Sequence, residues 1–372
     1  MDAIEVVDGG AFTTVQDHGR YGYQRYGVPV SGAMDLFAHS VANLLVGNAR
    51  AAAALELTFV GPCLRFLADA VVGIAGADLQ PKLDGVLMPS WCAFAAPQGA
   101  VLHFAGARDG ARAYLAVAGG IDVSVVLGSR STFTRGALGG FAGRALQHGD
   151  RIRVAAGAVE HVQGRAIPAQ AVPTYGHDHV VRVVLGPQHE AFTSGAVATF
   201  LSSAYEVTPK SDRVGCRLTG EPLDHAGPAD IVSDGIPFGA VQVAGDGLPM
   251  VLLADRGTTG GYTKIATVIS ADLPRLAQAL PGDRVSFREV ALADAHRALR
   301  EQEGVLERIA RSRAVVFTRK RLHVTVERSR FDVAVGPIEL ERAAPAETVR
   351  GTAEICSARE LSAVHYEIRP GR

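Results

Sequence analysis

The 372-residue sequence predicts an α+β fold, mainly β, with two tandem β domains followed by a C-terminal helix-and-hairpin extension. Three observations predict it. Strand-length apolar runs recur between Gly, Pro and Asp punctuation, long helical periods are few, and a phrase near residue 150 is echoed near residue 283.

The strand-length runs cover residues 54–59, 70–74, 101–105, 113–117, 180–185 and 250–254, each bounded by turn formers. The clearest early helix spans residues 34–46. Its stripe is Met34, Phe37, Ala38, Val41, Leu44 and Leu45, and Gly47-Asn48 closes it. Two shorter helices are expected over 190–201 and 273–280. After residue 290 the pattern changes. Residues 294–313 read as a helix with Ala295, Leu299, Leu306 and Ile309 on one side, weakened in the middle by Gly304. Leu322, Val324 and Val326, then Phe331, Val333 and Val335, alternate about a polar turn and read as a hairpin.

The echoed phrases are His148-Gly149-Asp150-Arg151-Ile152-Arg153-Val154 and Pro281-Gly282-Asp283-Arg284-Val285-Ser286-Phe287. Both read as a Gly-Asp turn feeding a strand. They suggest two related β domains, residues 1–165 and 175–290, joined by a linker within 164–179. Residues 291–372 form an extension of no assigned role.

Composition narrows the function. Hydrophobic residues at 48% supply a substantial core, and a net charge of −1 gives no global attraction to nucleic acid or to an anionic membrane. No window approaches the roughly 18 apolar residues of a membrane helix, and the N-terminus carries no secretory pattern. The four cysteines are scattered with no CxxC pair, against a disulfide framework or a cysteine zinc site. The expectation is a cytoplasmic protein. No G-x-x-x-x-G-K-[ST] loop occurs. None of the four lysines has a Met neighbour, so no biotin is attached to this chain. A complete ATP or biotin site therefore has to be shared with, or carried by, another polypeptide.

Four phrases are more particular. The first runs Thr13-Thr14-Val15-Gln16-Asp17-His18-Gly19-Arg20, then Tyr23-Gln24-Arg25-Tyr26-Gly27-Val28-Pro29 and Gly32-Ala33-Met34-Asp35. The second is Ala42-Asn43-Leu44-Leu45-Val46-Gly47-Asn48 with Leu55-Glu56-Leu57-Thr58 and Gly61-Pro62. The third is Ala118-Gly119-Gly120-Ile121-Asp122 with Leu127-Gly128-Ser129-Arg130-Ser131-Thr132. The fourth joins Ser211-Asp212-Arg213, Gln242, Leu253-Ala254-Asp255-Arg256, Thr258-Thr259-Gly260-Gly261-Tyr262-Thr263-Lys264-Ile265 and Ile269-Ser270-Ala271-Asp272-Leu273. Together, over about residues 4–290, they resemble the allophanate hydrolase subunit 2, or biotin-dependent carboxyltransferase-like, family, and within it the branch of the C-type 5-oxoprolinase subunits. That family's Tyr-Pro after Gly-Gly is Tyr262-Thr263 here, and the last 50 or so residues lie outside the resemblance.

The resemblance implies two cyclophilin-like β-barrel domains in tandem. It implies work in a hetero-oligomer with a B-type homologue of similar fold and a lactam-hydrolase protein of the A type, using ATP to open 5-oxoproline to glutamate. It also leaves open a carboxyltransferase component of a biotin-dependent, urea-type carboxylase, or a regulatory partner that binds a kinase-inhibitor protein.

Holding carboxylate or phosphate oxygens suits arginine, whose planar fork binds them in bidentate fashion. Arg20, Arg25, Arg213 and Arg256 all fall in turns, where each either reaches a cleft or braces a loop against an acid such as Asp17, Asp212 or Asp255. The Gly257-Thr258-Thr259-Gly260-Gly261 run reads as an anion nest or as a tight hydroxyl-capped turn. Lys264 is the lysine most suited to function, against the reading of an exposed strand lysine. The catalytic candidates are Arg256, Lys264 and Asp255. The substrate-binding candidates are Gln16, Asp17, Arg20, Arg25, Ser211, Arg213, Gln242, Thr259, Gly260, Gly261 and Tyr262. His18 is a further general-base candidate. His177 and His179 flank Asp178 in the linker, where solvated side chains are expected, and no metal site is assigned.

Overall fold

The computed structural model describes residues 2–155, 166–167 and 171–311, with the backbone of four strands between residues 320 and 368. The first 313 residues form one compact unit and residues 314–372 a second.

The first half of the large unit is built from β1 (Asp2–Asp8), β2 (Phe12–Gln16), β3 (Ala54–Thr58), β4 (Cys63–Phe66), β5 (Ala70–Asp78), β6 (Pro81–Leu83), β7 (Val86–Leu87), β8 (Cys92–Ala96), β9 (Val101–Phe104), β10 (Asp109–Val117) and β11 (Arg151–Arg153). One sheet runs β11-β1-β4-β9-β6-β7 and the other β2-β3-β10-β5-β8. Ile4, Phe66, Leu102 and Phe104 from the first meet Val15, Leu57, Ile74 and Leu115 from the second in a single core. Helix α1 (Leu36–Leu45) covers the five-stranded sheet. Asp35 caps it by accepting the Ala38 amide at 2.8 Å, and Gly47 takes the left-handed φ expected of its stop.

The second half contains β12 (Asp178–Leu185), α2 (Ser194–Ser202), β13 (Ala204–Val207), β14 (Gly215–Thr219), β15 (Asp230–Gly235), β16 (Ala240–Val243), β17 (Pro249–Leu252), β18 (Thr259–Val268), α3 (Leu273–Gln278) and β19 (Arg284–Glu289). The order β12-β19-β13-β14-β17-β16-β18 closes through β12–β18 pairing into a seven-stranded barrel, with β15 appended to β18. Closure removes open edges within the ring. Val181, Val183, Phe200, Tyr205, Val251, Ile265 and Phe287 are buried together there. The fold is therefore mainly β with few helices, as the sequence predicts.

The echoed phrases fold alike. Gly149 and Gly282 both take left-handed φ. Asp150 accepts the Gln147 amide and Asp283 the Leu280 amide, in the same three-residue reach. Strand β11 then runs antiparallel to β1, as β19 runs antiparallel to β13. The second copy gains what the first lacks, a parallel partner in β12, and that strand completes the ring.

Helix α4 (Leu292–Arg311) belongs to the large unit. Its Ala295 and Ala298 pack on Ile269, while Leu306 and Ile309 join the α1 side of the first half. The expected hairpin is present as β20 (Lys320–Val326) and β21 (Ser329–Val335), followed by a second, β22 (Val349–Cys356) and β23 (Leu361–Ile368). Of the expected linker, residues 164–165 and 168–170 lie outside the described residues. Ile167 and Tyr175 within it are buried against the α1 cluster. Among the described residues no helix is long and apolar enough to cross a membrane.

Candidate functional site

The structure divides the candidate residues into three groups. The first braces a loop. Asp17 accepts the Gly19 amide at 2.8 Å, the Arg130 amide at 2.6 Å, the Ser129 hydroxyl at 2.7 Å and the Ser131 hydroxyl. Burial alone would raise its carboxyl, but these donors hold it below the ordinary aspartate value. Arg20 is fully buried and donates to the Val126 and Ser131 carbonyls at 3.0 and 2.7 Å. Gln16 donates to Thr14 Oγ1 and the Thr132 carbonyl. All three side chains knit strand β2 to the 126–132 loop. His18 faces Ser40 at 3.2 Å and the ring of His39, and burial depresses its pKa.

The second group joins the two halves. Arg213 Nε donates to Asp255 at 2.9 Å, its Nη2 to the Gly32 carbonyl at 2.7 Å, and its Nη1 to Glu56. Glu56 also accepts the Tyr114 hydroxyl and the Met34 amide, both at 2.8 Å. Burial would raise the Glu56 carboxyl, but Arg213 and Arg112 hold it below the ordinary value. Nearby, Gln278 accepts the Ala111 and Arg112 amides and donates to Asp35 at 2.9 Å. Arg213, Glu56 and Asp255 are all buried. A charge network of this kind survives burial because each charge meets a partner in good geometry. Asp255 is thus engaged with Arg213 at the junction of the halves. Ser211 stands apart, exchanging bonds with the Arg217 backbone.

The third group surrounds a cleft of about 280 Å³ lined by Gln24, Val30, Gly235, Ile236, Pro237, Arg256, Gly257 and Thr258. It draws on both halves of the large unit. Arg256 is held by the Ile236 and Leu253 carbonyls at 3.0 and 3.2 Å and lies over the Phe238 ring at 5.2 Å. Burial lowers its pKa, and no acidic side chain pairs with it among the described residues. It is therefore a fixed cation with donors to spare beside the cleft. Arg25 is exposed over the Tyr26 ring, one residue from the cleft-lining Gln24.

The glycine run after Arg256 is not an anion nest. Gly257, Gly260 and Gly261 take no left-handed φ, and Thr259–Val268 is a strand whose first residues pair with β15. A Cβ at position 260 would lie 2.7 Å from Ile236 Cδ1 and 2.8 Å from Gln242 Nε2, so the ends of those two side chains would have to shift to admit one. Thr259 pairs with Gly235, and Tyr262 stands 43% exposed.

Lys264 is 2% exposed, contrary to the reading of an exposed strand lysine. It is the register partner of Gln242 on β16, so both share one face of the sheet. Gln242 Nε2 reaches the Tyr262 carbonyl at 3.4 Å, and Gln188 Oε1 accepts the Lys264 amide at 3.3 Å. Lys264 Nζ lies 3.0 Å from Asp234 Oδ2. Lys264 and the Gly235 amide together hold the Asp234 carboxyl below its ordinary value. Asp234, Gln188 and Gln24 were absent from the sequence candidates. Gln24 lies within the first of the particular phrases but beside the more prominent Arg25, while Asp234 and Gln188 lie in segments with no local pattern to single them out.

His177 and His179 both turn to Asp283, at 2.7 and 3.1 Å, one on each carboxylate oxygen. They anchor the second echoed turn.

A family model described as "Carboxyltransferase domain, subdomain A and B" matches residues 26–289. The chain is 35% identical over 309 residues to the C-type 5-oxoprolinase subunit of Escherichia coli (strain K12), covering 82% of this chain and 97% of that one. It is 33% identical over 321 residues to the urea amidolyase of Saccharomyces cerevisiae, covering 82% of this chain and 17% of that protein. The crystal structure of the K. lactis urea amidolyase aligns with a TM-score of 0.79 at 28% identity, over 96% of this chain and 22% of that one.

Proposed function

The chain belongs to the carboxyltransferase-domain family, subdomains A and B, and from that premise we propose that it is one component of a hetero-oligomeric, ATP-dependent 5-oxoprolinase that opens 5-oxoproline to glutamate. The observation that carries this reading is its 35% identity to a C-type 5-oxoprolinase subunit over nearly the whole of that protein. Its partners are a B-type homologue of similar fold and a lactam-hydrolase protein of the A type, in the cytoplasm.

The chemistry explains what such a component has to supply. An unstrained lactam carbonyl is a poor electrophile. Transfer of the γ-phosphoryl group of ATP to the amide oxygen turns that oxygen into a leaving group. Water then adds at the carbon, the C–N bond of the adduct breaks with the ring nitrogen taking a proton to leave an acyl phosphate, and a second water hydrolyses that acyl phosphate to the free amino acid and inorganic phosphate. Arg256 suits the phosphoryl or carboxylate oxygens because it is fixed by backbone carbonyls and free of acidic partners among the described residues. With no Walker loop in the sequence, the ATP site is shared with or supplied by a partner. The test is co-expression with the two partner proteins and an assay of 5-oxoproline-dependent ATP hydrolysis. The complex should turn over and the purified chain alone should not. Robust turnover by the single chain, or none by the full complex, refutes the proposal.

A second reading is a carboxyltransferase component that accepts a carboxyl group from a biotin carried on another chain. Similarity to urea amidolyase over 96% of this chain favours it. A complex that requires a biotin carboxylase and bicarbonate, and ignores 5-oxoproline, would establish that reading instead.

A further inference from the structure

Lys264 carries its charge in a setting that is 2% exposed. A buried ammonium is costly unless its donors are met. Its ion partner among the described residues is Asp234 at 3.0 Å, off the line of a hydrogen bond, and no other acceptor among them satisfies Nζ. Asp234 itself is 54% exposed and sits on β15, the strand appended outside the closed ring. That strand pairs with β18 at Asp230–Tyr262, Asp234–Gly260 and Gly235–Thr259, with the register broken in between. Val232 within the break is 93% exposed. The cation thus belongs to the rigid barrel, while its anion belongs to a loosely attached edge strand.

We propose that Asp234 is an internal stand-in for a ligand carboxylate. A small monocarboxylate bearing an adjacent amide displaces it from Lys264 Nζ, and β15 swings outward as a flap. The amide follows from the two glutamines beside the lysine. Gln242 makes only a long 3.4 Å bond. Gln188 accepts from the Lys264 amide and supports Asp234, so departure of Asp234 leaves both glutamines with donors for an amide or lactam group. Gly235, next to Asp234, lines the Arg256 cleft, so outward movement of β15 opens Lys264 toward that cleft. The exchange stands on the structure alone; its ligand, 5-oxoproline, rests on the function proposed above.

The test is calorimetric titration of the full chain with 5-oxoproline, and with pyrrolidin-2-one, the same lactam lacking the carboxylate. Asp234→Asn should tighten 5-oxoproline by at least about tenfold, because the ligand no longer competes with a tethered anion at high effective concentration. Lys264→Met should abolish that binding, and pyrrolidin-2-one should bind weakly and equally to the wild type and Asp234→Asn. If Asp234→Asn melts normally yet binds 5-oxoproline no more tightly, the proposal fails. This arm decides even if Lys264→Met does not fold. Acetate and inorganic phosphate separate the two levels of the argument. Equal tightening for acetate and 5-oxoproline keeps the exchange and removes the lactam assignment. A larger gain for phosphate than for either carboxylate overturns the exchange as stated.

Discussion

Arg213→Met tests whether the junction between the two halves rests on the buried charge network. The substitution keeps an unbranched side chain of similar reach but removes the cation that contacts Glu56, Asp255 and the Gly32 carbonyl. Two buried carboxylates then lose their shared partner, and Arg112 remains as the cation nearest Glu56. Breaking one side of such a pair costs about 3–5 kcal/mol. In a unit of this size that is a fall in Tm of roughly 5–8 °C. The pH profile gives a sharper sign. In the wild type Glu56 is held below its ordinary value of 4.5, so its contribution is complete above 4.5 and is lost as pH falls through the depressed folded value. In Arg213→Met burial dominates, the folded pKa rises above 4.5, and the variant loses stability as pH rises and recovers it on acidification. The gap between the two proteins, read by urea unfolding, should therefore be widest near neutrality and close toward pH 4.5. A gap below about 1 kcal/mol, or one that does not change with pH, would refute the reasoning.

Three further outcomes follow from the same structure. Arg256→Lys should leave the melt nearly unchanged but lower kcat/KM of the assembled complex by at least about tenfold, since a point charge does not replace a bidentate fork; undiminished turnover removes Arg256 from the site. His39 is buried neutral, its pKa pushed down from 6.5 to about 4, so folding stability associated with it is intact above 6.5 and is lost as pH falls toward 4. The loss is on the order of 3 kcal/mol, and the denaturation profile of His39→Gln should lack it. A chain ending at Arg313 keeps the whole large unit. It should melt within a few degrees of the full chain and support complex activity, and a large loss of kcat at a normal melt would place the chemistry in the C-terminal strands.

Much of the fold was legible because its signals are local. The apolar stripe from Met34 to Leu45 and the Gly47-Asn48 stop announce helix α1, and the Gly-Asp turns at 149 and 282 announce the strands that end each half. The site was less legible because its determinants are not local. Glu56 alternates with Leu55 and Leu57, a pattern of one face in and one face out, yet it is buried by Arg213, 157 residues away. Lys264 stands in the sequence as the lysine most suited to function or as an exposed strand lysine, and its burial is not legible because the strand that covers it, β15, is itself polar and exposed. The Gly257–Gly261 run reads as an anion nest or a tight turn because glycine permits both. Here its later residues open strand β18, and only at Gly260 would a Cβ press on the ends of the Ile236 and Gln242 side chains. The second C-terminal hairpin gives no comparable signal, because its strands carry few consecutive β-branched residues.

Helix α4 imposes an order on how this protein is made. Its C-terminal turns settle on the first half through Leu306 and Ile309, and Arg50 meets Glu303 across 253 residues of sequence. Such remote contacts close late, since the loop between them has to be in place first. On the ribosome, both β halves emerge before α4 can dock, so its arrival is a checkpoint that only a chain with both halves formed can pass. Until then the α1 face that receives Leu306 and Ile309 is open to water. A newborn chain is therefore most exposed to aggregation and to chaperone capture in the interval between completing β19 and seating α4.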